Sequence, residues 1–272
     1  MKKVKTTPFT RRNFKMKTFY LIAGTKGGIG KTFIATLLAD MALQSGKKVV
    51  LYDCDDENHT LEESYPVKIE NLTVNPVAID SARDMDYPLD QVINDIISQE
   101  EADRKENCFY VADMKAGTSA RTMQWMEGLP YDWFLEKHIS IVLIGVVTSE
   151  IDSVATLAVW IRTYFDDIRN GKLHLVVIKN DVMQTDFDYY DAKLHPALKN
   201  LPSVREIVLP AMSIKSFKNI RGNKSTVGQV AGGIDSADFL LPMERYRCRH
   251  YFQIASEALK DVFEPFEQKE SS

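Results

Sequence analysis

Cysteine is scarce in this chain. Three in 272 residues, Cys54, Cys108 and Cys248, widely spaced and with no CxxC pair, exclude a disulfide-stapled fold and fit a chain kept in a reducing cytoplasm. Two of them lie in apolar strand-like runs and read as small core residues. No apolar run approaches the roughly 20 residues that span a bilayer, so no transmembrane helix is expected, and a cytoplasmic location is. The five histidines, His59, His138, His174, His195 and His250, have no metal-ligand spacing, and no Ser-His-Asp constellation can be argued from their order. Internal repeats and low-complexity linkers are also missing, so the chain reads as one domain.

Acidic residues are absent from the first 17 positions, which carry Lys2, Lys3, Lys5, Arg11, Arg12, Lys15 and Lys17. The whole chain has a net charge of −4, so the remainder carries −11. A basic arm on an acidic body suits contact with nucleic acid or an anionic surface; a solvated tail is the alternative, and Met16 is a candidate translation start. Thr10-Arg11-Arg12-Asn13-Phe14 has the form of a twin-arginine export signal. Such a signal needs about 7–15 apolar residues next, and only residues 19–23 follow, so export is rejected.

What is present is an alternation of strands and helices. Apolar runs place strands at 19–23, 48–52, 72–78, 108–112, 139–147, 173–178 and 205–209. Helical spacing falls at 31–44, 89–107, 120–129, 151–170, 189–197 and 245–263. The order predicts an α/β fold, a mainly parallel sheet with helices on both faces. Residues 17–265 form the expected domain, with a basic tail at 1–16 and an acidic one at 266–272.

Between the first strand and the first helix stands Thr25-Lys26-Gly27-Gly28-Ile29-Gly30-Lys31-Thr32, followed by Phe33. The glycines let successive N–H groups and the N-terminus of the following helix point at the same phosphates. Lys31 would reach the β- and γ-phosphates, and the Thr32 hydroxyl would sit on Mg²⁺. An ordinary phosphate loop has glycine where this chain has Thr25. Two further segments fit. The second strand ends in Asp53-Cys54-Asp55-Asp56-Glu57-Asn58, at the end where open α/β sheets bind ligands. The strand at 108–112 ends in Asp113, the arrangement that holds a phosphate-loop Mg²⁺. Together they predict a single-domain P-loop NTPase.

Lys26-Gly27-Gly28-Ile29-Gly30-Lys31-Thr32 matches, position by position, the hallmark of the ParA/MinD family of deviant Walker A ATPases, and the resemblance covers most of residues 17–265. It implies ATP and Mg²⁺ as cofactors and a homodimer formed on ATP binding. Lys26 is then implied to reach across that dimer to the partner's phosphates, stabilising transition-state charge as an arginine finger does. Lys31 is implied to act with it. By the same match Asp53 or Asp55 lies in the first switch; Asp55 is favoured for orienting the attacking water, and Asp53 for the metal's outer shell beside Thr32 and Asp113. The loop from Thr25 through Phe33 is implied to hold the nucleotide. Val176-Val177-Ile178-Lys179-Asn180-Asp181 resembles the strand whose asparagine contacts adenine, and Val208-Leu209-Pro210-Ala211-Met212 the segment that packs on the base. Asn180 and Pro210 are therefore binding candidates, with turn chemistry as the alternative for each.

The chain departs from the family at two places. Asp113-Met114-Lys115-Ala116-Gly117 replaces the common Asp-x-Pro, and Asp56-Glu57-Asn58 replaces Asp-Pro-Gln. These changes bear on hydrolysis and switching more than on binding. Residues 59–107 carry no assignable motif. The iron–sulfur branch of the family needs cysteines after the metal strand, which are missing. The last helix runs into Glu264, Glu267 and Glu270, unlike a basic membrane-targeting helix. Met123, Trp125 and Met126 have the spacing of core or dimer contacts. Lys215, Lys218, Arg221 and Lys224, with Arg245, Arg247 and Arg249, are candidates for non-specific DNA binding; an ordinary solvated face is the alternative. The expected function is a dimeric ATP-hydrolysing switch, slow and stimulated by a protein partner, for partition of DNA or a plasmid or for positioning a cargo or conjugation apparatus. A nucleotide-binding assembly adaptor with little hydrolysis, or an ATP-dependent small-molecule ligase, are the alternatives.

Overall fold

Among the described residues, apolar runs rich in β-branched residues form seven parallel strands: β1 Lys17–Ala23, β2 Lys48–Cys54, β3 Leu72–Pro76, β4 Cys108–Met114, β5 Ile139–Val147, β6 His174–Asn180 and β7 Val204–Leu209. The computed structural model describes residues 16–24, 26–55, 57–79, 89–98, 108–234 and 237–266. The sheet order is β3-β2-β4-β1-β5-β6-β7. Among the described residues the helices are α1 Lys31–Gln44, α2 Thr60–Glu63, α3 Asp90–Ser98, α4 Ser119–Glu127, α5 Tyr131–Glu136, α6 Ile151–Thr163, α7 Phe165–Arg169, α8 Asp188–Lys193, α9 His195–Leu198, α10 Ile214–Gly222, α11 Val227–Gly232 and α12 Pro242–Leu259, the last continuing into a 3₁₀ turn, Lys260–Phe263.

Side chains alternate across the sheet and feed two cores. Along β1, Phe19, Leu21 and Ala23 join one, while Tyr20 and Ile22 join the other. The first takes Val92, Trp125, Phe134, Leu157, Ile168, Tyr190 and Leu198 from α3 to α9. The second takes Ile34 and Leu38 of α1, Leu61 of α2, Ile220 of α10, Val230 of α11 and Phe252 of α12. Every residue of β5 is buried, as a strand covered on both faces must be.

The elements differ from expectation where side chains act locally. The helix expected over 151–170 breaks at Tyr164, whose hydroxyl donates to the Met123 carbonyl of α4 at 2.6 Å. The one at 189–197 divides at Leu194, just before Pro196 near the start of α9, because proline cannot donate to the preceding turn. The strand expected over 72–78 stops at Pro76. The final helix starts earlier than expected, at Pro242, with the Glu244 carboxylate accepting from the Leu241 N–H at 3.1 Å. Residues 99–107 of the helix expected at 89–107 lie outside the described residues. Cys54 and Cys248 are buried and Cys108 is half-buried. No helix among the described residues is long and apolar enough to cross a membrane. At the C-terminal end Phe266 stacks on His174 at 4.2 Å and lies under the Arg205 guanidinium at 3.8 Å, so packed chain extends to that residue.

Candidate functional site

The strand order reverses at β1, which lies between β4 and β5, and the glycine loop leaves its carboxyl end at this crevice. Gly30 caps α1 with φ 98°, and a Cβ there would stand 2.5 Å from the Asn180 amide nitrogen. Only glycine meets both demands. The Asn180 amide in turn donates to the Ile29 carbonyl at 2.9 Å, tying the end of β6 to the loop. Lys31 is buried, and its ammonium donates to the Lys26 carbonyl at 3.1 Å. Burial lowers its pKa, while Asp113 and Asp55 oppose the shift. Thr25 lies outside the described residues.

β2 and β4 pair so that Asp53 is the register partner of Asp113, both within their strands rather than just beyond them. The two carboxylates have different tasks. Asp53 accepts from the Asp55 N–H at 3.1 Å and from the Glu62 N–H at 2.9 Å, pinning the loop after β2; burial raises its pKa. Asp113 is hydrogen-bonded by Thr32, and burial pushes its pKa up to about 7 against the pull of that bond and of Lys31. Its Oδ1 is buried with no partner. An orphaned carboxylate oxygen beside a threonine hydroxyl fits a hard divalent cation held directly or through water. Asp55 accepts from the Glu57 and Asn58 N–H groups at 3.3 and 3.2 Å and from the Asn58 side chain, so it closes a tight turn.

Lys26 points away from this cluster. Its ammonium lies 2.6 Å from Glu150, the N-cap residue of α6, and 3.9 Å from Asp152. The pair is exposed and raises the Lys26 pKa while lowering that of Glu150. Lys115 is also paired, with Glu57 at 2.9 Å.

A cavity of about 400 Å³ opens over the loop, lined by Gly27, Gly28, Gly30, Lys31, Thr32, Phe33, Asp55 and Asp113. It continues along α1 to Thr36, to Thr60 and Ser64 around α2, and to Phe217, Ile220, Arg221, Thr226 and Val227 of the α10–α11 segment. Asn180 and Pro210 do not line it: Asn180 holds the loop, and the Pro210 carbonyl accepts from the Tyr251 hydroxyl at 3.0 Å. Thr36 had a sequence signal, one helical turn beyond Thr32 on the same face. The α10 residues had none, because their place depends on the chain folding back from β7 over α1. That fold-back is held by the buried Asp40 of α1, which accepts from the Tyr65 hydroxyl at 3.0 Å and the Gly228 N–H at 3.1 Å. A Cβ on Gly228 would meet the Asp40 Cβ at 2.2 Å.

The expected basic DNA segment is divided by this packing. Lys215 pairs with Glu244 at 2.7 Å, Lys224 with Glu63 at 3.2 Å and Arg245 with Asp238 at 3.8 Å, whereas Arg221 lines the cavity.

A parallel sheet with a glycine loop at its switch point, a lysine and threonine opening the next helix and an aspartate at the neighbouring strand's end define a P-loop nucleotide-binding protein. The chain belongs to the CobQ/CobB/MinD/ParA nucleotide-binding domain family, whose model matches residues 20–218. It is 23% identical over 212 residues to protein MobD of Acidithiobacillus ferrooxidans, 78% of this chain and 85% of that one. In fold it is similar to the septum site-determining protein MinD of Pyrococcus horikoshii OT3 complexed with Mg-ADP, at TM-score 0.52 and 17% identity over 91% of this chain and 98% of that one. A plasmid partition protein of Borrelia burgdorferi B31 bound to AMPPNP gives TM-score 0.50 at 15% identity, over 88% and 99%.

Proposed function

We propose that the chain is a Mg²⁺-dependent ATPase working as a dimeric switch, which turns ATP and water into ADP and phosphate slowly and under stimulation by a protein partner. The observation that carries this reading is the division between two lysines of one loop. Lys31 is buried within its own site, while Lys26 stands at the surface on Glu150 and Asp152. A cation outside its own phosphate site but beside it is suited to a second subunit's nucleotide. Exposed ion pairs hold weakly, so Lys26 can exchange Glu150 for a phosphate.

In this mechanism the loop N–H groups and Lys31 would hold the polyphosphate, and Thr32 and Asp113 would hold Mg²⁺, with Asp53 fixing the switch loop behind them. The ion would supply positive charge that offsets the polyphosphate's negative charge. Asp55, which lines the cavity, orients the attacking water, and Lys26 from the partner subunit stabilises the charge that develops on the transferring group. Family membership supports the nucleotide, and the Mg-ADP and AMPPNP of the two structural neighbours are consistent with ATP and Mg²⁺. Steady-state phosphate release by wild type and Lys26→Ala tests the reading. Turnover that depends on Lys26 supports it; turnover unchanged by the substitution overturns the trans role.

One observation favours the adaptor alternative: both Asp55 oxygens are engaged by Glu57 and Asn58, which a water-orienting carboxylate must give up. ATP-dependent dimerisation with no turnover, even with partner or DNA present, would select it. The output we infer is partition or positioning of DNA or another cargo. Among the described residues no ion pair holds Lys218, Arg247 or Arg249, which leaves them to meet DNA phosphates. Co-sedimentation with DNA, with and without ATP, should weaken as salt rises; binding that is absent or insensitive to salt would remove DNA as the cargo.

A further inference from the structure

Phe217, Ile220 and Arg221 all line the cavity above the loop, and their spacing places them on one face of α10. The helix is fixed there from several sides. Phe217 meets Phe33 edge-on at 5.3 Å, Lys215 is paired with Glu244 at 2.7 Å, and Lys224 just beyond the helix with Glu63 at 3.2 Å. Ser213 caps its first turn through the Ser216 N–H. Among the described residues no carboxylate lies within ion-pairing distance of Arg221, although its neighbours Lys215 and Lys224 both have one. Arg221, an exposed residue without an ion-pairing carboxylate, thus lines the same cavity as Lys31, Thr32 and the loop glycines.

We propose that Arg221 is a further ligand of the bound nucleotide's polyphosphate, supplied from the same subunit by the helix that shares this cavity with the loop. A guanidinium offers five donors in a planar fork that matches phosphate oxygens. The assignment rests on the nucleotide reading above and adds α10 to it. It makes α10 a sensor of the phosphates, because the helix that contacts them also touches α12 through Lys215–Glu244 and the end of α2 through Lys224–Glu63.

The test is equilibrium titration of the full chain with a fluorescent ATP analogue and Mg²⁺, with adenosine and ATP as competitors. Arg221→Ala should weaken ATP roughly tenfold or more and leave adenosine unchanged, with Arg221→Lys between the two and Ile214→Ala, exposed at the start of the same helix, like wild type. A general disturbance of α10 would weaken adenosine as much as ATP, and that result overturns the assignment, as does ATP binding by Arg221→Ala equal to wild type. If wild type binds and Lys31→Ala does not, either result removes Arg221 alone. If wild type itself fails to bind Mg·ATP, the nucleotide reading falls and the assignment with it.

Discussion

Lys26 and Lys31 stand five positions apart in one loop, yet one is exposed on Glu150 and the other is buried against the loop backbone. Their substitutions should therefore separate. Lys31→Ala should abolish Mg·ATP binding in the fluorescent titration. Lys26→Ala should leave binding near wild type and reduce phosphate release by roughly 10³-fold, the lower range for loss of a trans cation. Equal effects of both substitutions on binding would contradict the division. Gly30 gives a stability test. Gly30→Ala places a side chain at φ 98° and against the Asn180 amide, and should cost about 1–3 kcal/mol in urea unfolding; an unchanged midpoint would contradict the observed loop geometry. The loop was legible in the sequence because its chemistry is local, carried by glycine spacing and two lysines. The contact of Asn180 with Ile29 was not, since it joins residues far apart in the chain and only the folded sheet brings β6 beside the loop. Likewise, the aspartates at the ends of β2 and β4 could be found from the apolar runs that lead to them, but which one keeps an oxygen without a partner depends on where the Asp55 and Glu62 N–H groups fall.

At the scale of elements, β5 and α1 have the expected bounds, since a continuous apolar run and an apolar helix leaving a glycine turn each declare themselves. The short α5, α10 and α11 were not legible. α10 has few apolar positions and many polar ones, and it becomes a helix by packing Phe217 on Phe33 and burying Ile220. The Asp40 junction that ties α1 to α11 has a pH signature. Burial raises the Asp40 carboxyl from 3.8 to about 7. Between those values the folded chain holds a proton that the unfolded chain has released, so this group's contribution falls as pH rises from about 4 to about 7 and is level above. Asp40→Asn removes that titration. Its stability relative to wild type should rise between pH 5 and pH 8 in urea unfolding, whatever its offset at pH 5. Parallel curves for the two proteins would mean that Asp40 titrates alike in both states.

For the whole molecule, the proposed switch requires two subunits to complete a site. The parallel sheet brings the loop, Asp53, Asp113 and the Lys26–Glu150 pair to one end, so a partner approaching that end meets an exposed lysine beside each cavity. Light scattering should show mass doubling with Mg²⁺ and a non-hydrolysable ATP analogue, and a monomer without nucleotide. The most direct measurement is complementation between two inactive variants, Lys26→Ala and Asp55→Asn, each of which keeps the loop that binds ATP. In a mixed dimer the nucleotide on the Lys26→Ala subunit has its own Asp55 and its partner's Lys26. Mixing equal amounts should then restore phosphate release to about a quarter of the wild-type rate, since about half of randomly assorted two-fold dimers are mixed and each has one intact site. Phosphate release no greater than the mean of the separate variants would contradict a Lys26 that acts across the dimer.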